Sequence, residues 1–278
     1  MNDEFLGTRT RWQLFAAVAV IAAAINTPIV LIVLNSFQTT EKMLVSKSIL
    51  PTTFSLETFE YLIARTSYLR FFANSVMIAA ASTILTIVAA AFAGYVLSRY
   101  RSRSVTVYSR ILLMVQMFPI IMALIPLFIT FRALGLIDHP LSVIIIYTTV
   151  HLPFATWMFR AFFDTIPREL EEAAFVDGCS PLGAFFRIVL PLSGPGIAAV
   201  AIFSTLFSYN EFFVASVFLR SETEMPVPVG VQMFMQQYAT DWGSLMAAAT
   251  LTMVPTFIFF MFAQKYMVHG GLAGGVKG

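Results

Sequence analysis

Apolar runs at roughly residues 13–34, 71–97, 107–131, 141–163, 194–219 and 243–266 dominate the chain, and each is long enough to cross a bilayer. At ~1.5 Å of rise per helical residue, some 20 residues cover the ~30 Å hydrocarbon core. In lipid every backbone amide must be satisfied within its own segment, so runs of this kind fold as helices. Charged residues make up 12% of the 278 and hydrophobic ones 58%, against roughly 25% charged in a soluble domain. The charges collect in the gaps between the runs. The expected fold class is all-α, a polytopic membrane protein with six transmembrane helices. Six spans return both ends of the chain to the same side.

A net charge of +2 spread along the chain excludes a nucleic-acid partner. The single cysteine, Cys179, excludes an internal disulfide and a cysteine metal cage. No other His or Cys stands at metal-ligand spacing, so no metal is expected. Arg9 and Arg11 ahead of the first run, with Ala22-Ala23-Ala24 inside it, mimic a secretory signal. The run is too long for a signal core, and an uncleaved span is expected. Orientation follows the Lys and Arg balance. With cytoplasmic termini the inner side holds eleven basic residues and the outer side six. Arg99, Arg101 and Arg103, in a short gap, weigh most in that balance.

The gaps carry the organisation. Residues 1–69 comprise the first span and a polar stretch, Asn35 to Leu69, expected as a cap on the outer side. Residues 70–278 form the remaining core. Pro119 and Pro126 predict kinks in the third span, and Ala89-Ala90-Ala91 with Gly94 predict a close helix crossing in the second.

Between the fourth and fifth spans, residues 164–193 are polar and helix-capable. Asp164 and Thr165 offer N-cap oxygens and Pro167 suits a first turn. Glu169, Glu171 and Glu172 complement the positive end of a helix dipole. Gly178 predicts a stop and Ser180-Pro181 the start of a second short helix, which Leu190-Pro191 would end. Ala173 and Ala174 leave one face flat for a close partner. The expectation is a rigid helical elbow at the membrane surface.

The pattern Glu172-Ala173-Ala174, three residues, Gly178, nine residues, Ile188-x-Leu190-Pro191 resembles the EAA loop of permease subunits of binding-protein-dependent ABC importers, with no departure in spacing. The tail, residues 267–278, resembles the Gly-Ala-Val-Lys-Gly ending of the maltose-type (MalFG-like) carbohydrate-uptake family, with Gly275 where alanine is usual. That resemblance implies a type I importer permease in the bacterial cytoplasmic membrane. It would pair with a homologous permease, two ATPase subunits and an extracytoplasmic solute-binding protein, surrounded by membrane lipid. Glu172, Ala173, Ala174, Asp177, Gly178, Ile188, Leu190 and Pro191 would couple to the ATPase, and Gly274, Gly275, Val276 and Lys277 would reach into it. From composition alone the tail is too glycine-rich to be helical. No phosphate-cradling Gly-x-x-x-x-Gly-Lys-Ser/Thr stretch occurs, nor a nucleophile elbow. This chain is therefore expected to bind no cofactor and perform no catalysis, with ATP and magnesium held by the partner subunits.

Glu211 is the ionisable residue placed well inside an apolar run, where a charge costs ~2.5–3.5 kcal/mol on insertion scales for Asp, Lys or Arg. Ser204, Ser208 and Glu211 fall at i, i+4 and i+7 of one helix face, with Asn210 beside them. This face reads either as the wall or gate of a solute pathway or as an interhelical hydrogen-bond anchor. His151, near Tyr147 and Thr148, reads as a helix-packing donor, and Gln116 as interior polarity. Asn74-Ser75 would cap or join helices at the outer boundary. Gln236, Gln237, Tyr238 and Trp242 offer planar amides and rings suited to a sugar or to a docking protein. Other solutes of the same superfamily (polyamines, amino acids, phosphate) and an ion-coupled carrier remain alternatives. The carrier would be expected to show more intramembrane carboxylates or paired interrupted spans.

Overall fold

The computed structural model describes residues 8–46, 48–235 and 240–274. Among them no strand forms; Met235 and Thr240 make an isolated antiparallel bridge. Two compact units are present, one of residues 1–66 and 231–253, the other of residues 67–230 and 254–278. Among the described residues four helices are long and apolar enough to cross a membrane. Two bent helix pairs bring the number to six if each is one span.

In the first unit, the opening helix Thr8–Asn35 buries none of its apolar window against the rest of the chain. Such an all-round apolar surface belongs in lipid or against another protein. Short helices Thr40–Val45 and Glu57–Arg65 occupy the polar stretch after it. Asp241 heads the last helix. It accepts from Ser244 N at 3.2 Å and from the Thr40 hydroxyl, which accepts in turn from Gly243 N at 2.8 Å. That last helix runs Trp242–Gly274. It therefore continues through Gly270, Gly271 and Gly274, contrary to the non-helical tail expected. Once a helix is nucleated each residue adds a hydrogen bond, which offsets a glycine cost of about 1 kcal/mol. Gly275, Val276 and Lys277 lie outside the described residues.

In the second unit, the helices Tyr68–Arg99 and Pro140–Asp164 form the most extensive contact. The small-residue stretch brings them together as expected. A Cβ on Gly94 would lie 2.7 Å from Phe159 Cβ and 3.0 Å from Thr156 O. Around that crossing Ala90, Ala91, Tyr95, Ala155, Phe159 and Phe163 make a buried core.

The third and fifth spans differ from expectation. Arg103–Met117 and Ile120–Ala133 are separate helices bent by 97°, so Pro119 breaks the span instead of kinking it. The residue before a proline is driven out of the helical region, and Phe118 adopts ψ 120°. Pro126 sits inside the second of these helices without ending it. The fifth span is helical over Gly194–Asn210, leaves the helix at Glu211, and resumes briefly at Phe213–Phe218. The following loop is tied to the start of the second span. Asn74 Nδ2 donates to Thr223 O and Met225 O, both at 3.0 Å, and Ser75 Oγ accepts from Val227 N at 2.8 Å. Asn74 and Ser75, expected to cap or join helices, instead hold this loop to the second span.

Candidate functional site

The elbow helix begins later than Asp164 or Thr165. Asp164 ends the fourth-span helix with Thr165 behind it, and the elbow runs Glu169–Val176 with Arg168 at the N-cap and no side-chain cap. Asp164 is already engaged, accepting from Ser98 Oγ at 2.5 Å and lying 3.5 Å from Arg160 Nε. The three glutamates of the first turn face the helix dipole in its place. Gly178 then takes φ 82°, and Cys179 N donates to Ala174 O at 2.8 Å, which closes the helix. Ser180 Oγ accepts from Gly183 N at 3.1 Å and starts the second helix. The second helix passes through a π turn at Phe185–Val189 and stops at Leu192, one residue past Pro191 and close to the end expected. The chain then bends by 76° into Gly194–Asn210.

What fixes the elbow is Glu171, which the sequence marks only as one of three dipole-facing glutamates. Glu171 is 4% exposed. Arg99 Nε donates to its Oε1 at 2.5 Å and the Tyr95 hydroxyl to its Oε2 at 2.6 Å. Arg99 Nη2 also reaches Ile166 O at 3.2 Å, and Arg168 Nη2 donates to Ser98 O at 2.9 Å. Both carboxylate oxygens are met by strong donors, the condition under which a buried ion pair is tolerated. The opposite face of the elbow is bare. Glu172, Ala173, Asp177 and Gly178 are exposed, Ala174, Ile188 and Leu190 partly covered, and Pro191 exposed. Val176 is 88% exposed.

Deeper in the same unit the third, fourth and fifth spans line a partly open cavity of about 570 Å³. It gathers Gln116, Tyr147, His151 and Glu211, residues the sequence singled out separately. Glu211 is not in helical register with Ser204 and Ser208. It stands in extended backbone and caps the next helix, accepting from Val214 N at 3.1 Å and Ala215 N at 3.3 Å, and from the Tyr147 hydroxyl at 2.6 Å. Phe154, Phe203 and Phe207 form a ladder along one wall, with ring centroids 4.1 and 4.4 Å apart. His151 is 7% exposed and its Nδ1 makes no hydrogen bond.

Ser204 and Ser208 do not line this cavity. Ser208 Oγ accepts from Ser82 Oγ at 2.9 Å and Thr83 pairs with Thr205 at 3.1 Å, joining the second and fifth spans. Ser204 is fully buried, and its hydroxyl makes no hydrogen bond. Asn210 turns its amide back onto Leu206 O at 2.8 Å. Gln236, Gln237 and Tyr238 lie outside the described residues. Trp242 is the first residue of the last helix and 43% exposed.

The geometry is that of an all-helical chain with apolar spans and a two-helix elbow between the fourth and fifth of them, fastened to the second. The profile of the family described as the binding-protein-dependent transport system inner membrane component matches residues 86–270, and the chain belongs to that family. It is a multi-pass permease subunit of an ABC importer. It is 36% identical over 208 residues to the sulfoquinovosyl glycerol transport system permease protein SmoH of Agrobacterium fabrum, covering 75% of this chain and 73% of that one. It is 32% identical over 271 residues to the arabinooligosaccharides transport system permease protein AraQ of Halalkalibacterium halodurans, covering 96% of each. Its fold matches a chain of a bacterial ABC transporter involved in the import of the acidic polysaccharide alginate. The TM-score is 0.82 at 21% identity, covering 94% of this chain and 99% of that one.

Proposed function

We propose that this subunit and a homologous permease form the pathway by which a saccharide, delivered by an extracytoplasmic binding protein, enters a bacterial cell. Two separate ATPase subunits hold ATP and magnesium and supply the energy, and both termini of this chain face the cytoplasm. The names of its relatives, with arabinooligosaccharides and a sulfoquinovosyl glycoside as cargo, support a sugar. The basic residues that favour a cytoplasmic elbow support the orientation.

The observation that carries the mechanism is the elbow's two unlike faces. Glu171 clamps one to Arg99 at the end of the second span, while the other leaves Phe175 42% and Val176 88% exposed beside Glu172. A helix held on one side and bare on the other transmits a push received from a partner. ATPase closure acts on Glu172, Ala173, Ala174 and Asp177, and the Arg99–Glu171 contact carries the displacement into the bundle. One of two bundle states is favoured because the ATPase contacts differ between them. Gly274 to Lys277 extend the same contact. Gln236, Gln237, Tyr238 and Trp242 lie on the outer side, where the binding protein docks.

Reconstitution in vesicles with the partner permease, ATPase and binding protein encoded beside it tests this. Glu172→Lys and Gly178→Pro are expected to abolish uptake while ATP hydrolysis and membrane insertion persist. A cysteine at Val176 is expected to crosslink to the ATPase. Coupled uptake at the normal rate in both variants, or labelling of that cysteine from outside the cell, would overturn the proposal.

A further inference from the structure

Resting on the saccharide reading, we infer that the cavity between the third, fourth and fifth spans is a sugar-contacting site of this subunit itself, and that it selects uncharged saccharides. Its volume of about 570 Å³ lies within the roughly 300–1,000 Å³ usual for small-molecule sites. The lining has the make-up such sites share, a mostly apolar wall with a few convergent polar groups. The Phe154–Phe203–Phe207 ladder offers ring faces to the C–H faces of a pyranose. The Gln116 amide and the Glu211 carboxylate offer hydroxyl partners on the same wall set. His151 adds an imidazole nitrogen that is buried and unpartnered, a state that costs free energy until something hydrogen-bonds to it.

The charge pattern sets the class. Glu211 is the ionisable carboxylate of the cavity, its donors are a phenol and backbone amides, and among the described residues no Lys or Arg lines the space. Its negative potential is therefore not cancelled by a cation, and in a medium of low dielectric a uronate or sulfonate placed beside it is repelled. A neutral sugar meets no such cost. A lipid tail fits the rings but leaves the imidazole nitrogen without a partner.

The test uses the complete complex in liposomes, with maltotriose, arabinotriose and trigalacturonate as probes. It reads uptake and the ATP hydrolysis stimulated by loaded binding protein. Phe203→Ala and Gln116→Leu are expected to raise the KM for the neutral trisaccharide about tenfold, with stimulated hydrolysis retained. Trigalacturonate is expected to be excluded. Gln116 is exposed, so its variant decides the matter if Phe203→Ala fails to insert. Import of a neutral probe by the wild type with unchanged KM in the variants would overturn this inference and leave the importer reading standing. Uptake of trigalacturonate at the neutral rate would overturn the charge selection. Import of none of the probes, with uptake of a different solute class, would remove the saccharide reading and this inference with it.

Discussion

Glu171 and Glu211 are both carboxylates drawn into the folded chain, and they are satisfied by opposite means. Glu171 receives a guanidinium and a phenol from the second span, at 2.5 and 2.6 Å. Glu211 receives a phenol from the fourth span and the amides of a short helix that it caps. The first arrangement cancels charge and fixes two elements against each other. The second satisfies lone pairs but leaves net charge facing a cavity. A buried acid answered by a cation fastens two elements, and one answered by neutral donors alone is left at the edge of a cavity.

The widest separation between the two should come from truncation. Glu171→Ala leaves Arg99 buried without its partner, at a cost of about 3–5 kcal/mol. It is expected to detach the elbow, read as loss of uptake and new protease cleavage near residue 178. The exchanged pair Arg99→Glu with Glu171→Arg should recover part of the loss, and no recovery would break the fastening half of the comparison. Tyr147→Phe removes one charge-assisted hydrogen bond, worth about 1.5–3 kcal/mol. It should lower the melting temperature of the purified complex while the elbow stays protease-resistant. Gly178→Ala places a side chain at φ 82°, costing about 1–2 kcal/mol. Its effect should appear in elbow protection and be absent from solute KM. Asp241, in the other unit, gives a pH control. Burial raises its carboxyl, but hydrogen bonds from Ser244 and Thr40 outweigh this and hold it below the ordinary carboxylate range. The stability it adds is present above about pH 4 and is lost as pH falls through the depressed value. Asp241→Ala should cost about 1 kcal/mol at neutral pH and less in acid, measured by thermal melts. Ser82→Ala, which removes one hydroxyl bond between spans, is expected to cost only about 0.6 kcal/mol.

The spans, the glycine turn at 178 and the restart at Ser180 were legible because each rests on a local rule of hydropathy, φ or capping. Glu171 was not, because it sits in the run Glu169-Leu170-Glu171-Glu172. Which of three glutamates turns inward is set by how the helix rotates onto Arg99, a tertiary fact. Arg99 itself read only as part of an orienting basic cluster. Glu211 was found but placed on a helix that stops one residue before it. The signal available there was an acidic residue three positions ahead of Val214 N, the spacing of a helix cap. Pro119 was read as a kink, although the constraint on the residue before a proline favours a break. The gathering of Gln116, Tyr147, His151 and Glu211 depends on that break, which no periodicity encodes.

Gly94 has no room for even a methyl group against Phe159 and the Thr156 carbonyl. The second and fourth spans are thereby bolted into a single plank that cannot shear internally without a clash. Any alternation between inward- and outward-open forms must be absorbed elsewhere. The candidates are the joints at Phe118–Pro119, Ser193 and Glu211–Phe212, where the helices already stop. Two of these flank the aromatic cavity, so the plank's swing and the shape of that cavity are geared together.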